Sequence, residues 1–502
     1  MKTSGLGRFA LGQAVPDRDH AVCVSLPTFS DLIGYEEKKP EVLAAMPTGY
    51  PRFVRHHLIG DLIRNLDFAD GEARLQRFLF SSLRSCREAA RQLSIENPRI
   101  EEHEGFTSIQ LPSQSRHADG MGAFLQHTGC GISSRQAEHC LMQSGKLDAR
   151  EKISPIDNPA EVIRKIIARV HGPGVSQRDV LLASSGANAF YSLFRSACEF
   201  SRTKNKKIWI RLGWLYLDTI EVMDLVGATE ETILSLNRLD DFEKMEEIFA
   251  DHGDRIAGVV TEFPTNPLLQ AFDLRKVREL CNQAEALLII DPTMASPKNA
   301  KVVEVADVIV NSLTKYAGSE GDVMMGSLVF PQSSSLGREL MIPTTEALHH
   351  PFERDLLRMA EQISGYENFI ERTNLSLLKV VDFLEGHPKV SHVYWAYQSA
   401  SRESFERQAG ANRPGCVVSF LVNGCFETFY NRLEMLKSPS FGTRFSLCCP
   451  YVFLAHYKLL QRKSGRKILS AAGLSPNLLR LSVGTEEPDQ IIDTLKTALS
   501  AI

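Results

Sequence analysis

The sequence predicts an α/β protein with a mostly parallel sheet in a large domain and a smaller α/β domain towards the C-terminal end. Between residues 151 and 330, continuous apolar runs of strand length alternate with helical patterns. This alternation is typical of a parallel sheet that helices cover on both faces. After about residue 345, long helical patterns are followed by a shorter mixed segment, and the length of 502 residues suits more than one domain.

The elements of the large domain, at 151–367, follow one another in a regular order. The predicted strands are 178–183, 207–211, 232–235, 256–261, 286–291, 307–311 and 324–330. The predicted helices are 159–170, 187–200, 216–226, 240–250 and 273–284. The first of these helices has Asn158 as its predicted N-cap and Pro159 at its first position, where proline is favoured.

The regions on either side of the large domain are less regular. The small domain, at 368–502, has predicted strands at 417–422 and 478–483 and predicted helices at 426–436 and 488–499. Residues 1–150 contain a helical pattern at 61–93 and a Gly/Ser-rich piece at 127–135, without the signal of an independent core. We expect this N-terminal segment to wrap over another part of the protein or over a neighbouring subunit.

Composition excludes several classes of protein. Hydrophobic residues make up 43% and charged residues 24%, which is normal for a globular chain. The net charge of -4, without a basic run, argues against a nucleic-acid partner, and no apolar stretch approaches the roughly 18 residues of a membrane span. The first twenty residues lack the apolar core of a secretory signal, and the 10 cysteines are scattered without a CxxC pair. We therefore expect a cytoplasmic protein with reduced thiols.

Reactive side chains follow three of the predicted strands. Strand 286–291 ends in Asp291, strand 307–311 is followed by Lys315, and strand 178–183 leads into Ser185, Gly186 and Ala187 at a helix start. Ligands of parallel α/β sheets bind at the carboxyl ends of strands, and the free N–H groups of a helix N-terminus bind phosphate. An amine, a carboxylate and a phosphate cradle together are what pyridoxal 5′-phosphate (PLP) requires, for its aldehyde, its pyridine nitrogen and its phosphate.

Other functions have weaker support in the residues themselves. A plain Rossmann nucleotide binder is disfavoured because no GxGxxG turn follows the first strand of the large domain. A metal site is not expected, because His127, His139 and the His349–His350 pair lack carboxylates at ligand spacing. The His349–His350 pair is interpreted as a helix start or a surface pair.

Four ordered motifs resemble one enzyme family. NSLTKYAGSEGDVMMGSLVF (311–330) resembles the lysine segment of the cystathionine γ-synthase/methionine γ-lyase family of fold-type I PLP enzymes, which have the aspartate-aminotransferase-like fold. TEFPTNPLLQAFDL (261–274), LLIIDPTMASP (287–297) and LLRLSVGTEEPDQI (478–491) resemble its other signatures. The stretches at 20–53 and 126–138 resemble the fungal branch of cystathionine γ-synthases.

The resemblance implies a role for each matching residue. It makes Lys315 the Schiff-base lysine, Asp291 the partner of the pyridine nitrogen and Tyr216 the aromatic residue that stacks on the ring, all three being catalytic. The remaining residues implied for the cofactor are Asn266, Gly186, Ala187, Ser312, Thr314 and Arg135. Arg135 is expected to reach the phosphate of the neighbouring subunit, in a homodimer or homotetramer with shared active sites. Arg480 and Ser440 are expected to bind the carboxylate of an amino-acid substrate.

The implied activity is γ-replacement on an O-acetyl- or O-succinyl-L-homoserine, in which a nucleophile adds at Cγ of a vinylglycine-type imine. Departures from the family pattern leave that nucleophile open. Ser133 stands where bacterial members have a tyrosine, and Phe445 stands where a glutamate often lies near the amine of the second substrate. Cysteine and a carbon or nitrogen nucleophile of a fungal natural-product pathway are therefore both retained. The alternatives are a γ-lyase, which eliminates without adding a nucleophile, and a non-catalytic binding protein of the same fold.

Overall fold

The large domain is built on a twisted sheet whose strands run mainly in one direction. The computed structural model describes residues 3–50, 54–70, 75–227 and 231–502. Its elements between residues 151 and 365 are α7 (Pro159–His171), β6 (Val180–Ala183), α8 (Gly186–Thr203), β7 (Ile208–Leu212), α9 (Leu217–Gly227), β8 (Thr232–Leu236), α10 (Phe242–His252), β9 (Ile256–Glu262), α11 (Leu274–Gln283), β10 (Leu287–Asp291), β11 (Val308–Ser312), β12 (Gly326–Val329), α12 (Ser335–Ala347) and α13 (Glu353–Ile363).

Seven of these strands pair in the order β6-β12-β11-β10-β9-β7-β8 within the described residues. β12 runs antiparallel to both of its neighbours, while the other pairings are parallel. Every residue of β9 is buried, since helices cover both faces of the sheet and apolar side chains pack on each. The predicted α/β class and the mostly parallel large-domain sheet are confirmed.

The small domain has its own sheet and core. Its elements are α14 (Tyr366–Gly386), β13 (Val390–Tyr394), α15 (Arg402–Ala409), β14 (Val417–Val422), α16 (Phe426–Arg432), β15 (Leu436–Lys437), β16 (Leu447–Pro450), α17 (Tyr451–Leu460), α18 (Lys463–Ala471), β17 (Leu479–Ser482) and α19 (Pro488–Ser500). The sheet order is β13-β14-β17-β16-β15 among the described residues. The helix predicted at 426–436 is four residues shorter, because the chain leaves it at Arg432 to form β15.

The N-terminal segment is more structured than the sequence predicts. It contains β1 (Ala14–Val15), β2 (Cys23–Val24), α1 (Phe29–Glu36), α2 (Pro40–Ala44), α3 (His57–Asp70), β3 (Leu75–Phe80), α4 (Leu83–Gln92), β4 (Arg99–His103), β5 (Phe106–Pro112), α5 (Arg116–Thr128) and α6 (Ser134–Gln143). The helix predicted at 61–93 is wrong in part, because Leu75–Phe80 form β3, which pairs with β5 in an antiparallel sheet. Residues 71–74 of the predicted helix lie outside the described residues. A small apolar cluster around Leu62 and Phe106 belongs to this segment alone.

The same segment wraps over its own chain. Leu32 and Tyr35 of α1 pack with the small-domain core, while Phe78 of β3 and Phe124 of α5 pack with the large-domain core. The segment thus bridges the two domains. Whether it also contacts a neighbouring subunit stays a prediction.

Several local expectations are decided by the backbone. α7 begins at Pro159 as predicted, but Asn158 adopts a left-handed conformation with φ of 49° and its side chain makes no capping hydrogen bond. His349 is buried rather than on the surface: its backbone N–H donates to Asn188 and its ring contacts the Ser81 hydroxyl. No helix of the described residues is long and apolar enough to span a membrane, and none of the 10 cysteines forms a disulfide.

Candidate active site

The carboxyl ends of neighbouring strands bring the predicted groups to one edge of the large sheet. β9, β10 and β11 are adjacent and parallel, so Glu262, Asp291 and Ser312 emerge side by side, with Asp291 in register with Glu262. Thr293 ties two of these ends together: its N–H donates to Asp291 Oδ1 at 2.8 Å, and its hydroxyl accepts the N–H of Ser312 at 3.0 Å. Asp291 and Ser312 therefore lie side by side at this edge of the sheet.

The helix start after β6 forms a cradle beside Ser312. Ser185 caps α8, its hydroxyl accepting the N–H of Asn188 at 3.0 Å. The amides of Gly186 and Ala187 precede the first intrahelical bond, from Ala189 N–H to Ser185 carbonyl, so both are available for an anion. A Cβ on Gly186 would lie 2.9 Å from Cβ of Ser312, which explains why glycine stands there. A cavity of about 410 Å³ opens here, and Ser312, Asp291 and Tyr216 line it too.

The Gly/Ser-rich piece of the N-terminal segment lies against this cradle. Gly129 has φ of 64°, and a Cβ on it would come within 2.3 Å of the Ser185 hydroxyl. The side-chain amide of Asn188 donates to the Thr128 carbonyl at 3.4 Å. The segment therefore closes one side of the cradle from within the same chain.

Two carboxyl groups lie side by side at this edge of the sheet, and Glu262 is buried while Asp291 is half-buried against the larger cavity. Burial raises the pKa of Asp291 to about 6. Burial, and next the charge of Asp291, raise the pKa of Glu262 well above its ordinary range. Glu262 accepts the backbone N–H of Tyr216 at 2.5 Å, which fixes the start of α9. Because two adjacent buried carboxylates repel each other, the arrangement favours a neutral Glu262 beside an ionisable Asp291.

Lys315 occupies a second, smaller cavity next to the first. Its Nζ lies 2.8 Å from the Ser440 hydroxyl and 3.5 Å from the Tyr50 hydroxyl, over the Tyr50 ring at 4.5 Å from the centroid. This cavity has a volume of about 50 Å³. Tyr50 and Tyr216 line both cavities, so the space around Asp291 and the space around Lys315 adjoin across these two rings.

Arg480 lies at the far wall of the smaller cavity, on β17. One Nη donates to Asn266 Oδ1 at 2.8 Å, and the other donates to the Ser440 carbonyl at 3.0 Å. The guanidinium lies 5.1 Å from the Phe441 ring centre and 5.0 Å from that of Tyr451. Its Nε is buried without a hydrogen-bond partner in the described part of the chain. A buried, unmatched donor on a fixed guanidinium suits the carboxylate of a bound amino acid.

Ser440 is held in an unusual backbone conformation. Its φ is 110°, a region that favours glycine and costs a non-glycine residue free energy. In this conformation its hydroxyl faces Lys315 while its carbonyl faces Arg480. One residue thus links the proposed proton carrier to the proposed carboxylate anchor.

Three residues singled out by the sequence lie elsewhere than at the cavity surface. Thr314 exchanges hydrogen bonds with the backbone of Met325 and does not line either cavity. Phe445 is completely buried in an apolar cluster with Leu436 and Leu447, away from both cavities. The role implied for Asn266 near the cofactor stays a prediction, since its recorded side-chain contact is with Arg480.

Arg135 lines the larger cavity, but its guanidinium is bound by acids of its own chain. It donates to Glu151 at 2.6 and 3.1 Å, to Asp355 at 3.2 Å and to the Asp322 carbonyl at 2.8 Å. Its side chain is almost fully buried. That it reaches the phosphate of a neighbouring subunit stays a prediction.

Two residues of the site were missed from the sequence. Glu262 ends a strand in the same way as Asp291, so the strand-end argument could have found it. Tyr50 gave no local signal, because it reaches Lys315 from 265 positions away. No group of three or more metal-ligating side chains occurs among the residues that the structure describes.

These residues fit PLP on the evidence of the structure itself. A buried lysine lines the adjoining cavity, a half-buried carboxylate with a raised pKa lines the larger one, and two helix amides form a cradle beside Ser312. The fold and this donor set define a PLP-dependent enzyme of fold type I. The family model of Cys/Met metabolism PLP-dependent enzymes matches residues 154–500, and the chain belongs to that family.

Individual relatives extend the comparison to the whole chain. It is 31% identical over 488 residues to an L-2-amino-4-chloropent-4-enoate dechlorinase/desaturase of Streptantibioticus cattleyicolor, covering 96% of this chain and 97% of the relative. It is 25% identical over 625 aligned positions to the cystathionine gamma-synthase of Neurospora crassa, covering 98% of each.

Solved structures agree on the fold. Cystathionine gamma synthase from Xanthomonas oryzae pv. oryzae, in complex with aminoacrylate and cysteine, matches with a TM-score of 0.57 at 21% identity. The match covers 71% of this chain and 92% of that one. At this identity the likeness concerns the fold alone.

Proposed function

We propose that this enzyme removes a leaving group from Cγ of an L-α-amino acid, with γ-replacement on O-acetyl- or O-succinyl-L-homoserine as the first candidate reaction. Bound PLP would supply an electron sink for the charge that develops when a Cα proton is lost. The observation that carries the proposal is that Lys315 and Arg480 line one small cavity, and that the Nε of Arg480 has no hydrogen-bond partner among the described residues. A single amino acid can therefore have its carboxylate held while its Cα is next to an amine.

Each residue has a stated task in this proposal. Arg480 and Ser440 hold the α-carboxylate and its orientation. The free amine of Lys315 would take the proton from Cα and deliver it to the bound cofactor. It would then be neutral again and could take a second proton from Cβ. Asp291 keeps the pyridine nitrogen of the cofactor protonated, and Tyr216 packs against its ring. The leaving group departs from Cγ with its bonding electrons, and a nucleophile adds there.

The residues that line the smaller cavity indicate which type of nucleophile it can accept. They consist largely of aromatic and aliphatic groups, and the charged residues that line it are Lys315 and Arg480, both cationic. Among the residues that the structure describes, no carboxylate lines it to pair with the ammonium group of an incoming cysteine. This supports a carbon nucleophile over cysteine among the nucleophiles predicted from the sequence.

Elimination is the second candidate, and one specific finding favours it. The Streptantibioticus relative, 31% identical over nearly the whole length, is named a dechlorinase/desaturase, a reaction without an added nucleophile. An apolar cavity of about 50 Å³ suits a short, uncharged side chain such as a chloroalkenyl group.

Product analysis separates the two reactions. The purified protein is incubated with O-acetyl-L-homoserine alone, with O-acetyl-L-homoserine plus cysteine, a β-keto ester or an amine, and with L-2-amino-4-chloropent-4-enoate. Replacement predicts acetate release with an adduct at Cγ; elimination predicts an unsaturated amino acid, or a 2-oxo acid with ammonia, from one substrate alone. Release of no leaving group from either substrate by the wild type would refute the proposal, and Lys315→Ala is the matched inactive control.

We also propose that the protein is a homodimer or homotetramer with shared active sites, and that it is cytoplasmic. Arg135→Ala and Lys315→Ala variants, each inactive by itself, are mixed after mild dissociation. Recovery of up to about a quarter of the wild-type activity is expected if Arg135 serves the site of its neighbour. Failure to recover activity in hybrid oligomers that form would assign Arg135 to its own chain. Fractionation of source cells would test the location.

A further inference from the structure

Tyr50 brings a hydroxyl from the N-terminal segment to the amine of Lys315. The hydroxyl is 3.5 Å from Nζ, and Nζ lies over the ring, 4.5 Å from its centroid. Ser440 supplies a second hydroxyl at 2.8 Å from the other direction. The contact with Tyr50 joins two elements that are far apart in the sequence, at the boundary between the two cavities.

Two hydroxyl partners restrict the direction in which the lone pair of the Lys315 amine can point. A neutral lysine has two N–H donors and one lone pair, in roughly tetrahedral directions. When Ser440 and Tyr50 each accept one N–H, the lone pair is left to a third direction, within the cavity that Arg480 and Tyr216 also line. That is where the Cα and Cβ protons of an amino acid anchored on Arg480 would lie.

We propose that Tyr50 is a positioning residue for Lys315, whose hydroxyl directs the lone pair of the free amine to the substrate protons. The inference rests on the proposed function, because it assumes that Lys315 carries those protons. It assigns a role in the site to a residue that lies outside the segment matched by the family model. Tyr216 already occupies the position of the stacking aromatic residue, so Tyr50 is an addition to that set.

The first test uses the cofactor-free protein and needs no turnover. Lys315 is acetylated with dilute acetic anhydride at fixed pH, and its peptide is quantified by mass spectrometry. Tyr50→Ala removes the ring and is expected to raise the labelling rate by about tenfold or more, while Tyr50→Phe, which keeps the ring, changes it far less. Equal labelling of wild type and Tyr50→Ala would overturn the proposal, because Tyr50 would then not lie against the amine of Lys315.

The second test follows the protons directly. Each holoenzyme is incubated in D2O with L-2-aminobutyrate, which has Cα and Cβ protons but no leaving group, and exchange is read by NMR. Tyr50→Phe is expected to slow exchange by about 10 to 100-fold with little change in KM, the range for loss of orientation and acid–base assistance. Tyr451→Phe is the matched comparison, because it removes a hydroxyl from the same cavity at the Arg480 wall, and a change in KM rather than in exchange is expected.

The outcomes separate the two proposals. If the wild type exchanges no Cα proton, the proposed function fails. If the wild type exchanges and Tyr50→Phe matches it in rate, the positioning role of Tyr50 is refuted while the proposed function stands. A Tyr50→Phe variant that loses cofactor affinity or folded stability in proportion to exchange would also overturn it, because a packing role would then suffice.

Discussion

Replacing Asp291 by asparagine should stabilise the cofactor-free protein while abolishing its chemistry. The carboxyl group lies at the end of a buried strand next to Glu262, and burial raises its pKa from 3.8 to about 6. A group with a raised acid pKa in the folded state holds its proton more tightly there than in the unfolded chain. Folding stability therefore falls as the pH rises through the interval from about 4 to about 6 and stays low above it.

The size of the effect follows from the same pKa. Since a tenfold change in proton affinity corresponds to about 1.4 kcal/mol, a rise from 3.8 to about 6 amounts to about 3 kcal/mol. Asp291 faces an open cavity whose water screens the charge, so we expect about 1 to 3 kcal/mol. Asparagine has no charge to ionise and recovers this free energy at neutral pH. It also removes the partner of the pyridine nitrogen, so activity should fall by a factor of about 1000 or more.

Urea denaturation of the cofactor-free proteins, followed by tryptophan fluorescence, measures this prediction, because Trp209 and Trp214 lie in the large domain. At pH 8, Asp291→Asn should have the higher free energy of unfolding, and the difference should shrink towards zero by pH 4. If Asp291→Asn and wild type have equal free energies of unfolding at pH 8, or if wild type is the more stable, the ionised Asp291 does not destabilise the fold and the reasoning is refuted.

Four further variants, at three residues, test other parts of the site. Arg480→Lys keeps the positive charge but loses the planar fork, so KM for the amino acid should rise by about tenfold or more in steady-state assays. Asp322→Asn should destabilise the protein by about 2 kcal/mol in urea, the opposite sign to the change at Asp291. It removes the fully buried carboxylate at 2.7 Å from Arg358 and leaves that guanidinium with the more exposed Glu320 and Glu361. The free energy of unfolding of Glu262→Gln should remain within about 1 kcal/mol of wild type, since burial holds Glu262 neutral. Glu262→Ala should lose about 2 kcal/mol or more of that free energy, because it leaves the Tyr216 N–H without its acceptor. These assignments would be contradicted by equal stability of the two Glu262 variants, by an unchanged KM for Arg480→Lys, or by an unchanged free energy of unfolding for Asp322→Asn.

Local sequence patterns and sheet topology coincide at the carboxyl edge of the large-domain sheet, and the sequence could therefore predict which strand ends lie there. An apolar strand that ends in an acid, as at Asp291, needs no knowledge of distant contacts, and parallel strands place their ends at one edge. The interruption of an apolar strand by Arg480 is a signal of the same kind. The family motifs then assign roles to residues that the periodicity alone leaves ambiguous, such as Tyr216.

The failures lie where contacts are distant in sequence. The helical pattern predicted at 61–93 includes β3, because the pairing with β5 that makes this stretch a strand is not visible in the local sequence. Tyr50 was not considered because its neighbours in the sequence show no pattern that would direct it to Lys315. The family resemblance gives Ser440 a role at the substrate carboxylate only. Its additional contact with Lys315 depends on a backbone conformation with positive φ, which cannot be predicted from the presence of a serine.

The most direct test of the central claim is to locate the lysine that carries the cofactor. The purified holoenzyme is reduced with borohydride and digested, and the peptide that gains the mass of a phosphopyridoxyl group is sequenced by mass spectrometry. The account predicts that the group is on Lys315 and that Asp291→Asn alters the visible absorbance of the bound cofactor before reduction. Modification of another lysine, or stoichiometric cofactor binding by Lys315→Ala with an unchanged absorbance spectrum, would contradict it.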